Sequence, residues 1–228
     1  MKIGIIGSGN MGRSIGVRLA EGGHAVAFGG RDAAQAAAAA ARAGHSATAG
    51  SNDEAAAFGQ VVIWTTRVVD AAEVLDRPEA LAGKVVIDLN NRDFQDSVAA
   101  GELPGQALGE MLQASSPSAR VVKALNTIPM ETFDCDPADL RAVDAQTFIA
   151  GDDAGAKSVV AELTGQLGLR AIDLGTGAVA MRAVEALGDI IRLYMSGGEN
   201  RLSAHLRLDT LPSPLLATTG ERRVRNYH

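Results

Sequence analysis

The sequence KIGIIGSGNMG at residues 2–12 joins a short apolar run to three glycines in the spacing G-x-G-x-x-G. Lys2–Ile6 is typical of a buried parallel strand, and Asn10–Glu21 has the apolar periodicity of a helix. A glycine-rich turn between such a strand and such a helix is the setting in which this motif binds a dinucleotide. The glycines permit the tight turn, close approach to a pyrophosphate and close packing of the helix. We therefore assign the cofactor phosphates to Gly7, Ser8, Gly9, Asn10, Met11 and Gly12.

The residues after the second predicted strand favour NADP over NAD. The strand Ala25–Phe28 is followed by Gly29, Gly30 and Arg31, so no carboxylate stands where NAD sites place one for the ribose 2′-hydroxyl. An arginine can pair with a 2′-phosphate through two parallel hydrogen bonds. Asp32 is interpreted as the cap of the next helix, facing away from the site. We therefore expect Gly30 and Arg31 to contact NADP.

The chain alternates strands and helices as far as residue 195. Apolar runs predict further strands at Val61–Trp64, Val85–Leu89, Arg120–Leu125, Gln146–Ala150 and Arg170–Leu174. Periodic segments predict further helices at Ala33–Ala43, Asp70–Leu75, Leu108–Ala114, Ala154–Leu167 and Ala178–Met195. This order predicts an α/β fold with a Rossmann-type, doubly wound, mostly parallel sheet. We expect a dinucleotide-binding domain over residues 1–175, a small C-terminal helical extension over 176–208 that completes the substrate site, and a tail over 209–228.

Composition excludes several classes of function. The net charge is −6 and the body of the chain has no basic run, which argues against a nucleic-acid partner. No apolar run approaches the ~20 residues that span a bilayer, and the N-terminus lacks a signal-peptide pattern, so we expect a cytoplasmic protein without a membrane partner. The single cysteine, Cys135, and four scattered histidines give no metal-ligand spacing, so no metal is predicted.

Two loops supply further candidate residues, because ligands of open α/β sheets bind at the carboxyl ends of the strands. The loop at residues 65–68 follows one predicted strand, and the loop at 90–94 follows the next. We expect Thr65, Thr66 and Asn90 in the cofactor site and Arg67 in the substrate site. Two interpretations stay open for Arg67 and Arg92: contact with an anionic substrate, or pairing with nearby carboxylates.

With these residues in view, the chain resembles the coenzyme F420-dependent NADP oxidoreductase family from about Met1 to Leu208. The resemblance rests on the glycine motif, on Gly30-Arg31, on residues 121–129, on Gly151-Asp152-Asp153 and on residues 182–185, and the segment ending in Asn-Thr-Ile-Pro is the most specific. Those enzymes move a hydride between NADP and an 8-hydroxy-5-deazaflavin and are typically dimeric. The resemblance therefore implies NADP(H), coenzyme F420 as the second cofactor, and a homodimer.

The resemblance also implies roles for individual residues. Ser8 and Arg31 would hold the 2′-phosphate, and Arg182 would approach the second ligand from the C-terminal helix. The residues expected to position the two reacting rings are Asn126, Thr127, Ile128 and Pro129, of which Thr127 would also contact the cofactor.

No general acid or base is identified in the sequence. A Tyr-x-x-x-Lys pair is absent, and no lysine follows Lys157. Carbonyl reduction needs a proton donor for the developing alkoxide, so this composition fits hydride exchange between two cofactors better.

Three functions remain open on the sequence. The first is reduction of a deazaflavin by NADPH. The second is NADPH-dependent reduction of another small molecule, such as an imine, a flavin or a metal chelate, which the altered loops at 65–68 and 90–94 favour. The third is a non-catalytic NADPH sensor. The apolar stripe of the last helix (Val184, Leu187, Ile191 and Tyr194) could close the core or pair with the same helix of a second subunit.

Overall fold

The computed structural model describes residues 1–93, 105–198, 201–202 and 204–210. Within them, the strands are β1 Lys2–Ile6, β2 Ala25–Gly29, β3 Thr48–Gly50, β4 Val61–Trp64, β5 Val85–Asp88, β6 Arg120–Lys123, β7 Gln146–Ile149 and β8 Arg170–Asp173. The α-helices are α1 Asn10–Glu21, α2 Ala33–Ala43, α3 Asn52–Phe58, α4 Ala71–Val74, α5 Leu108–Ser115, α6 Pro137–Ala142, α7 Ala154–Gln166 and α8 Gly177–Met195. Short 3-10 helices cover Pro78–Leu81 and Met130–Asp134.

The first six strands form one parallel sheet in the order β3-β2-β1-β4-β5-β6. The order reverses between β1 and β4, which is the switch point at which doubly wound sheets bind dinucleotides. Strands β7 and β8 pair in parallel, and an antiparallel bridge between Lys123 and Ala150 joins them to β6. The predicted Rossmann-type α/β fold is confirmed.

The core lies on both faces of the sheet because successive strand residues point to opposite sides. Ile3, Ile5 and Ile63 face α1 and α2, whereas Ile6 and Val62 pack on the opposite side. The predicted alanine-rich helix is ordered and buries a row of alanines at Ala36, Ala39, Ala40 and Ala43. A Cβ at Gly16 would lie 2.3 Å from the ring of Phe28, so α1 requires glycine there to pack against β2.

Some elements differ from the sequence-based expectation. The strand expected at Arg120–Leu125 ends at Lys123, because Leu125 has a positive φ of 62° and turns the chain out of the sheet. The short elements β3, α3 and α6 and both 3-10 helices were not predicted, since runs of three to seven residues give weak periodicity. The Ser51–Glu54 capping box at the start of α3 was the available signal.

The C-terminal helix α8 contacts β6 and β7 and packs beside α5. Val184 and Ile191 of its predicted stripe are buried, and Val184 packs with Phe148, so this stripe closes the core. Tyr194 is 51% exposed and is not part of the buried stripe, which corrects the prediction. No helix in the described parts of the chain has the length and hydropathy needed to cross a lipid bilayer. The predicted tail lies outside the described residues from position 211 onward.

Candidate cofactor site

The glycine turn between β1 and α1 is held by the neighbouring strand. Gly7 has φ +98°, a conformation that favours glycine, and its N–H donates to Gly29 O at 3.1 Å. The Thr65 Oγ1 lies 2.9 Å from Ile6 O and 2.5 Å from Gly7 O, so these two carbonyls share its single proton. A Cβ at Gly12 would lie 2.1 Å from Gly7 O, so α1 starts in close contact with the turn. Thr65 therefore shapes the turn with its hydroxyl.

Helix α1 begins with free backbone donors. Its N-cap residue is Gly9, which brings no side-chain cap, and its first turn has no acidic residue. Helices α2 and α7, by contrast, are capped by Asp32 and Asp153. A Cβ at Gly9 would meet no atom of the described residues within 4 Å, so the space before the helix is open. An uncapped N-terminus that opens on free space fits a phosphate group.

A cleft of about 300 Å³ lies at this turn and continues to the end of β2. It is lined by Gly7, Ser8 and Gly9 of the turn, by Gly30 and Arg31, and by Thr65 and Thr66. Asn10, Met11 and Gly12, also predicted for the phosphates, form the first turn of α1 and do not line it. Ser8 is 2% exposed, and its buried hydroxyl has no hydrogen-bond partner among the described residues. A Cβ at Gly30 would lie 2.7 Å from that hydroxyl, which explains glycine at this position. An orphan hydroxyl beside an exposed arginine fits a phosphate of the dinucleotide.

Three further residues line the same cleft. Gln35 and Asn52 were not predicted; Asn52 begins α3, an element that the sequence reasoning missed. Asp32 caps α2 as predicted, since its Oδ1 accepts from Ala34 N at 2.9 Å and Gln35 N at 3.1 Å. It lines the cleft, however, so the expectation that it faces away was wrong. The Asp32 carboxylate is engaged in the cap. Among the described residues that line the cleft, Arg31 is therefore the exposed charged group that is available to a ligand.

The loop after β6 lies at the carboxyl edge of the sheet, beyond the switch point. Asn126, Thr127, Ile128 and Pro129 are all buried. Asn126 Nδ2 donates to Val184 O at 2.9 Å and to Asn91 Oδ1 at 3.1 Å. The Thr127 hydroxyl has no hydrogen-bond partner in the described portion of the chain. Asn126 thus binds the loop to α8, while the Thr127 hydroxyl is not engaged by any described residue.

The loop after β5 supports α8. Asn90 Nδ2 donates to Asp88 Oδ1 at 2.9 Å and to Trp64 O at 3.3 Å, so its amide nitrogen is engaged inside the protein. Asn91 Nδ2 donates to Asn126 O at 2.8 Å. Arg92 pairs with Asp189 of α8 at 2.5 Å, which decides its open interpretation in favour of carboxylate pairing. Phe94, the last residue of the predicted loop, lies outside the described residues.

The two predicted substrate arginines have different surroundings. Arg182 binds Glu110 through Nε at 2.8 Å and Nη2 at 3.0 Å, so its guanidinium is already paired with a carboxylate. The hydrogen bonds from Arg182 hold the pKa of Glu110 below its usual range. Arg67 is exposed, and its guanidinium has no ion pair with any described residue. Of the two, Arg67 is the one available to an anionic ligand.

A buried charge cluster lies beneath these loops and was not predicted. Lys123 Nζ is 2.8 Å from Asp88 Oδ2 and 2.9 Å from Glu185 Oε2, and it also donates to Asn90 O. All three charged side chains are 0% exposed. Position 109 beside the cluster is a glycine, and a Cβ there would lie only 3.2 Å from Asp88 Oδ2. The cluster joins β5, β6 and α8 but is sealed from solvent.

Another cleft, of about 320 Å³, lies between α1 and the 3-10 helix Met130–Asp134. Arg18 spans it and donates to Phe133 O at 2.5 Å and to Cys135 O at 2.9 Å, so this arginine is structural. None of the described buried polar atoms without a partner lines this cleft. The geometry therefore favours the glycine turn as the ligand site.

Comparison with known proteins agrees with this placement. Residues 2–92 match the model of the family described as NADP oxidoreductase, coenzyme F420-dependent. A candidate F420-dependent NADP reductase from Arthrobacter sp. FB24 has 30% identity and a TM-score of 0.74, over 86% of this chain and 94% of that one. The chain belongs to the F420-dependent NADP oxidoreductase family. The predicted family, its oxidoreductase class and its NADP-binding Rossmann fold are confirmed.

Two more distant proteins extend the comparison. Metalloreductase STEAP3 of Rattus norvegicus is 29% identical over 195 residues, which is 82% of this chain and 36% of that protein's length. The chain thus spans about a third of that curated relative. An imine reductase of Streptomyces aurantiacus has a TM-score of 0.60 at 20% identity, over 86% of this chain and 63% of that one, a likeness of fold alone.

Proposed function

We propose that this chain transfers a hydride between NADPH and a deazaflavin coenzyme of the F420 type. The family match and the Arthrobacter relative support the choice of acceptor. The observation that carries the proposal is the open glycine turn, with its uncapped helix, orphan Ser8 hydroxyl and exposed Arg31, at the sheet's switch point. Those residues would hold the phosphates of NADPH.

The charged groups described near the carboxyl ends of β5 and β6 support an acceptor that needs no protein acid. Lys123, Asp88 and Glu185 are sealed, and Arg92 and Arg182 are paired with carboxylates. When bound, NADPH would supply a hydride with both bonding electrons to the deazaflavin, and the balancing proton would come from solvent.

The chain's own contribution would be position and exclusion of water. The buried loop Asn126–Pro129 presents the Thr127 hydroxyl as a free hydrogen-bonding group. Because Asn126 is bound to α8 and to Asn91, the loop is held rigidly, which favours a fixed distance between two stacked rings. Arg67 would meet an anionic part of the acceptor.

The direct test is NADPH oxidation by the purified protein, followed at the NADPH and F420 absorbance bands. F420, FMN, an imine and a ferric chelate are offered in parallel. We expect rapid NADPH oxidation with F420 and none with the other three acceptors. Tight NADPH binding without oxidation by F420 would refute the proposal, and turnover of another acceptor would identify the substrate class instead.

Thr127→Val offers a sharper test of the site, because it removes the hydroxyl with little change of shape. We expect kcat/KM to fall about tenfold, as loss of one hydrogen bond of roughly 1–1.5 kcal/mol predicts. Thr132→Val is the matched control, since the Thr132 hydroxyl is also buried and without a partner in the described chain. Equal loss in both variants would remove Thr127 from the site.

A second candidate acceptor is a metal chelate. The relative named Metalloreductase STEAP3 matches 82% of this chain, which extends beyond the glycine turn to residues near the acceptor side. The ferric chelate in the acceptor panel tests this function. A sensor of NADPH would bind the dinucleotide tightly and turn over none of the acceptors.

We also infer that α8 pairs with the α8 of a second copy. Its outward row, Val179, Ala183, Ala186, Ile190 and Leu193, has the alternating spacing of four and three residues found in helix–helix seams. Val179, Ile190 and Leu193 are 79%, 53% and 58% exposed. The small central alanines permit close approach of two helices.

Light scattering at micromolar concentration should therefore give the mass of a dimer. Leu193→Glu should give a monomer, because it places a charge in the apolar seam. Val143→Glu is the matched control, since Val143 is 51% exposed but lies elsewhere, after α6. A monomeric wild-type protein would contradict the assignment.

A further inference from the structure

The buried cluster of Asp88, Lys123 and Glu185 has an excess of acid. Two carboxylates face one ammonium, and each of these side chains is 0% exposed. Backbone and amide donors offset part of the excess: Leu108 N donates to Glu185 Oε2 at 2.8 Å, and Asn90 N donates to Asp88 Oδ1 at 3.0 Å. These donors are dipoles without net charge, so they do not change the formal count of two carboxylates and one ammonium, which is −1.

Fold stability alone does not account for the second carboxylate. A buried Lys–Asp pair is neutral, whereas each added buried charge has a large desolvation cost. Glu185 Oε1 also has no hydrogen-bond partner in the described structure, so the carboxylate is only half satisfied. A costly charge that the fold does not require is a candidate for a functional role.

The position of the cluster indicates what that role is. In this strand order, the adenosine half of a dinucleotide would lie over β1, β2 and β3, where Arg31 and Ser8 line the cleft. The nicotinamide half would then lie over the ends of β4, β5 and β6. Asp88 is the last residue of β5 and Lys123 the last of β6. The nicotinamide ring is neutral when reduced and carries one positive charge when oxidised.

We propose that the excess negative charge of the Asp88–Lys123–Glu185 cluster stabilises the oxidised nicotinamide relative to the reduced one and so makes bound NADPH a stronger hydride donor. The proposal rests on the dinucleotide half of the proposed function and is independent of the acceptor. Asp189 and Arg192, one turn further along α8, form a second charged group with Arg92 of the β5 loop. They are partly exposed, so solvent screens them more strongly.

Glu185→Gln is the variant that tests the charge. Glu185 Oε2 accepts from both Lys123 Nζ and Leu108 N, and an amide oxygen can keep both bonds. The amide nitrogen would take the place of Oε1, which has no partner to lose in the described chain. Lys123 and Asp88 then form a neutral pair, so we expect the variant to fold.

The measurement is the ratio of two dissociation constants, Kd(NADP⁺)/Kd(NADPH), obtained by titration without any acceptor. For charges on the order of 10 Å apart at an effective dielectric constant of about 20, Coulomb's law predicts a rise of about tenfold in Glu185→Gln. Asp144→Asn is the matched control, because Asp144 is an ion-paired carboxylate bound to Arg170 at the start of β8, remote from the nicotinamide edge. Its ratio should equal that of the wild type.

A rise of threefold or more in Glu185→Gln alone supports the proposal, and a smaller change overturns it. Should the variant not fold, the wild-type ratio decides. The proposal expects NADP⁺ to bind at least as tightly as NADPH, and a tenfold preference for NADPH overturns it. If neither nucleotide binds, the dinucleotide site itself is refuted. This outcome differs from failure of the charge proposal, in which both dissociation constants are measurable.

Discussion

Replacing Lys123 with methionine removes the counter-charge of two buried carboxylates. In the native protein, Lys123 Nζ lies 2.8 Å from Asp88 Oδ2 and 2.9 Å from Glu185 Oε2. Methionine fills much of the volume of the lysine stem, so the loss is mainly electrostatic. Each charge-assisted hydrogen bond is worth about 1.5–3 kcal/mol. The two bonds to carboxylates alone predict destabilisation of roughly 3–6 kcal/mol, which includes the range of about 3–5 kcal/mol found when buried ion pairs lose one partner. The bond to Asn90 O is lost as well.

Urea unfolding followed by the fluorescence of Trp64 measures this loss, since Trp64 is the only tryptophan of the chain and is fully buried at the end of β4. For a chain of this size, about 4 kcal/mol corresponds to a fall in Tm of roughly 10 °C.

Lys84→Met is the matched control for this prediction. Lys84 Nζ donates to backbone carbonyls, Ala56 O at 2.5 Å and Ala57 O at 3.1 Å, and is in no ion pair with the described residues. Partial burial lowers the pKa of Lys84, so its charge is already disfavoured there. We expect its loss to cost about 1 kcal/mol. Equal destabilisation by the two substitutions would refute the assignment of a tightly coupled charge cluster.

Three further predictions concern other parts of the site. Arg31→Ala should raise the Kd for NADPH tenfold or more and leave NADH within twofold, because only NADPH has the 2′-phosphate; equal loss would contradict this. Gly188→Ala should lower Tm, since its Cβ would lie 2.0 Å from a side-chain oxygen of the β5 loop, whereas Gly165→Ala, where a Cβ meets no described atom within 4 Å, should raise it slightly. The pKa of Glu110 is lowered by Arg182, so this pair stabilises the fold above the ordinary glutamate pKa of about 4.3 and loses that effect as pH falls through the lowered value. Tm measured from pH 6 to 3 should therefore fall more steeply in the wild type than in Glu110→Gln, and identical slopes would contradict the pairing.

The dinucleotide half of the fold could be predicted because its signals are local. Asn10–Glu21 and Ala33–Ala43 have the predicted bounds, since each is delimited by glycine or by a capping aspartate within a few residues. The cleft residues Gly30 and Arg31 follow directly from the end of β2. Asn52 lies in the same cleft but depends on the pairing of a three-residue strand, which leaves little trace in the sequence.

The buried charge cluster depends on contacts between distant segments. Lys123 lies 35 residues from Asp88, and Glu185 comes from a helix whose other faces carry ordinary apolar residues. A signal was nevertheless present. Two predicted buried strands each carry one charge of opposite sign near the carboxyl end, and these two residues are register partners in the sheet. Opposite charges at matching positions of adjacent apolar runs indicate a buried pair, because neither could be buried alone.

The orientation of α8 shows why amphipathicity identified only the apolar part of its inner side. Glu185 and Asp189 are buried, while Val179, Ile190 and Leu193 face outward. A helix that covers the face of a sheet meets apolar side chains, but α8 covers the carboxyl edge, where loop amides, Lys123 and Arg92 need polar partners. Its polar row therefore turns inward at this edge, and an apolar row remains for another surface. The charges that α8 brings to the nicotinamide edge and the seam that it offers to a second copy therefore lie on different faces of one helix.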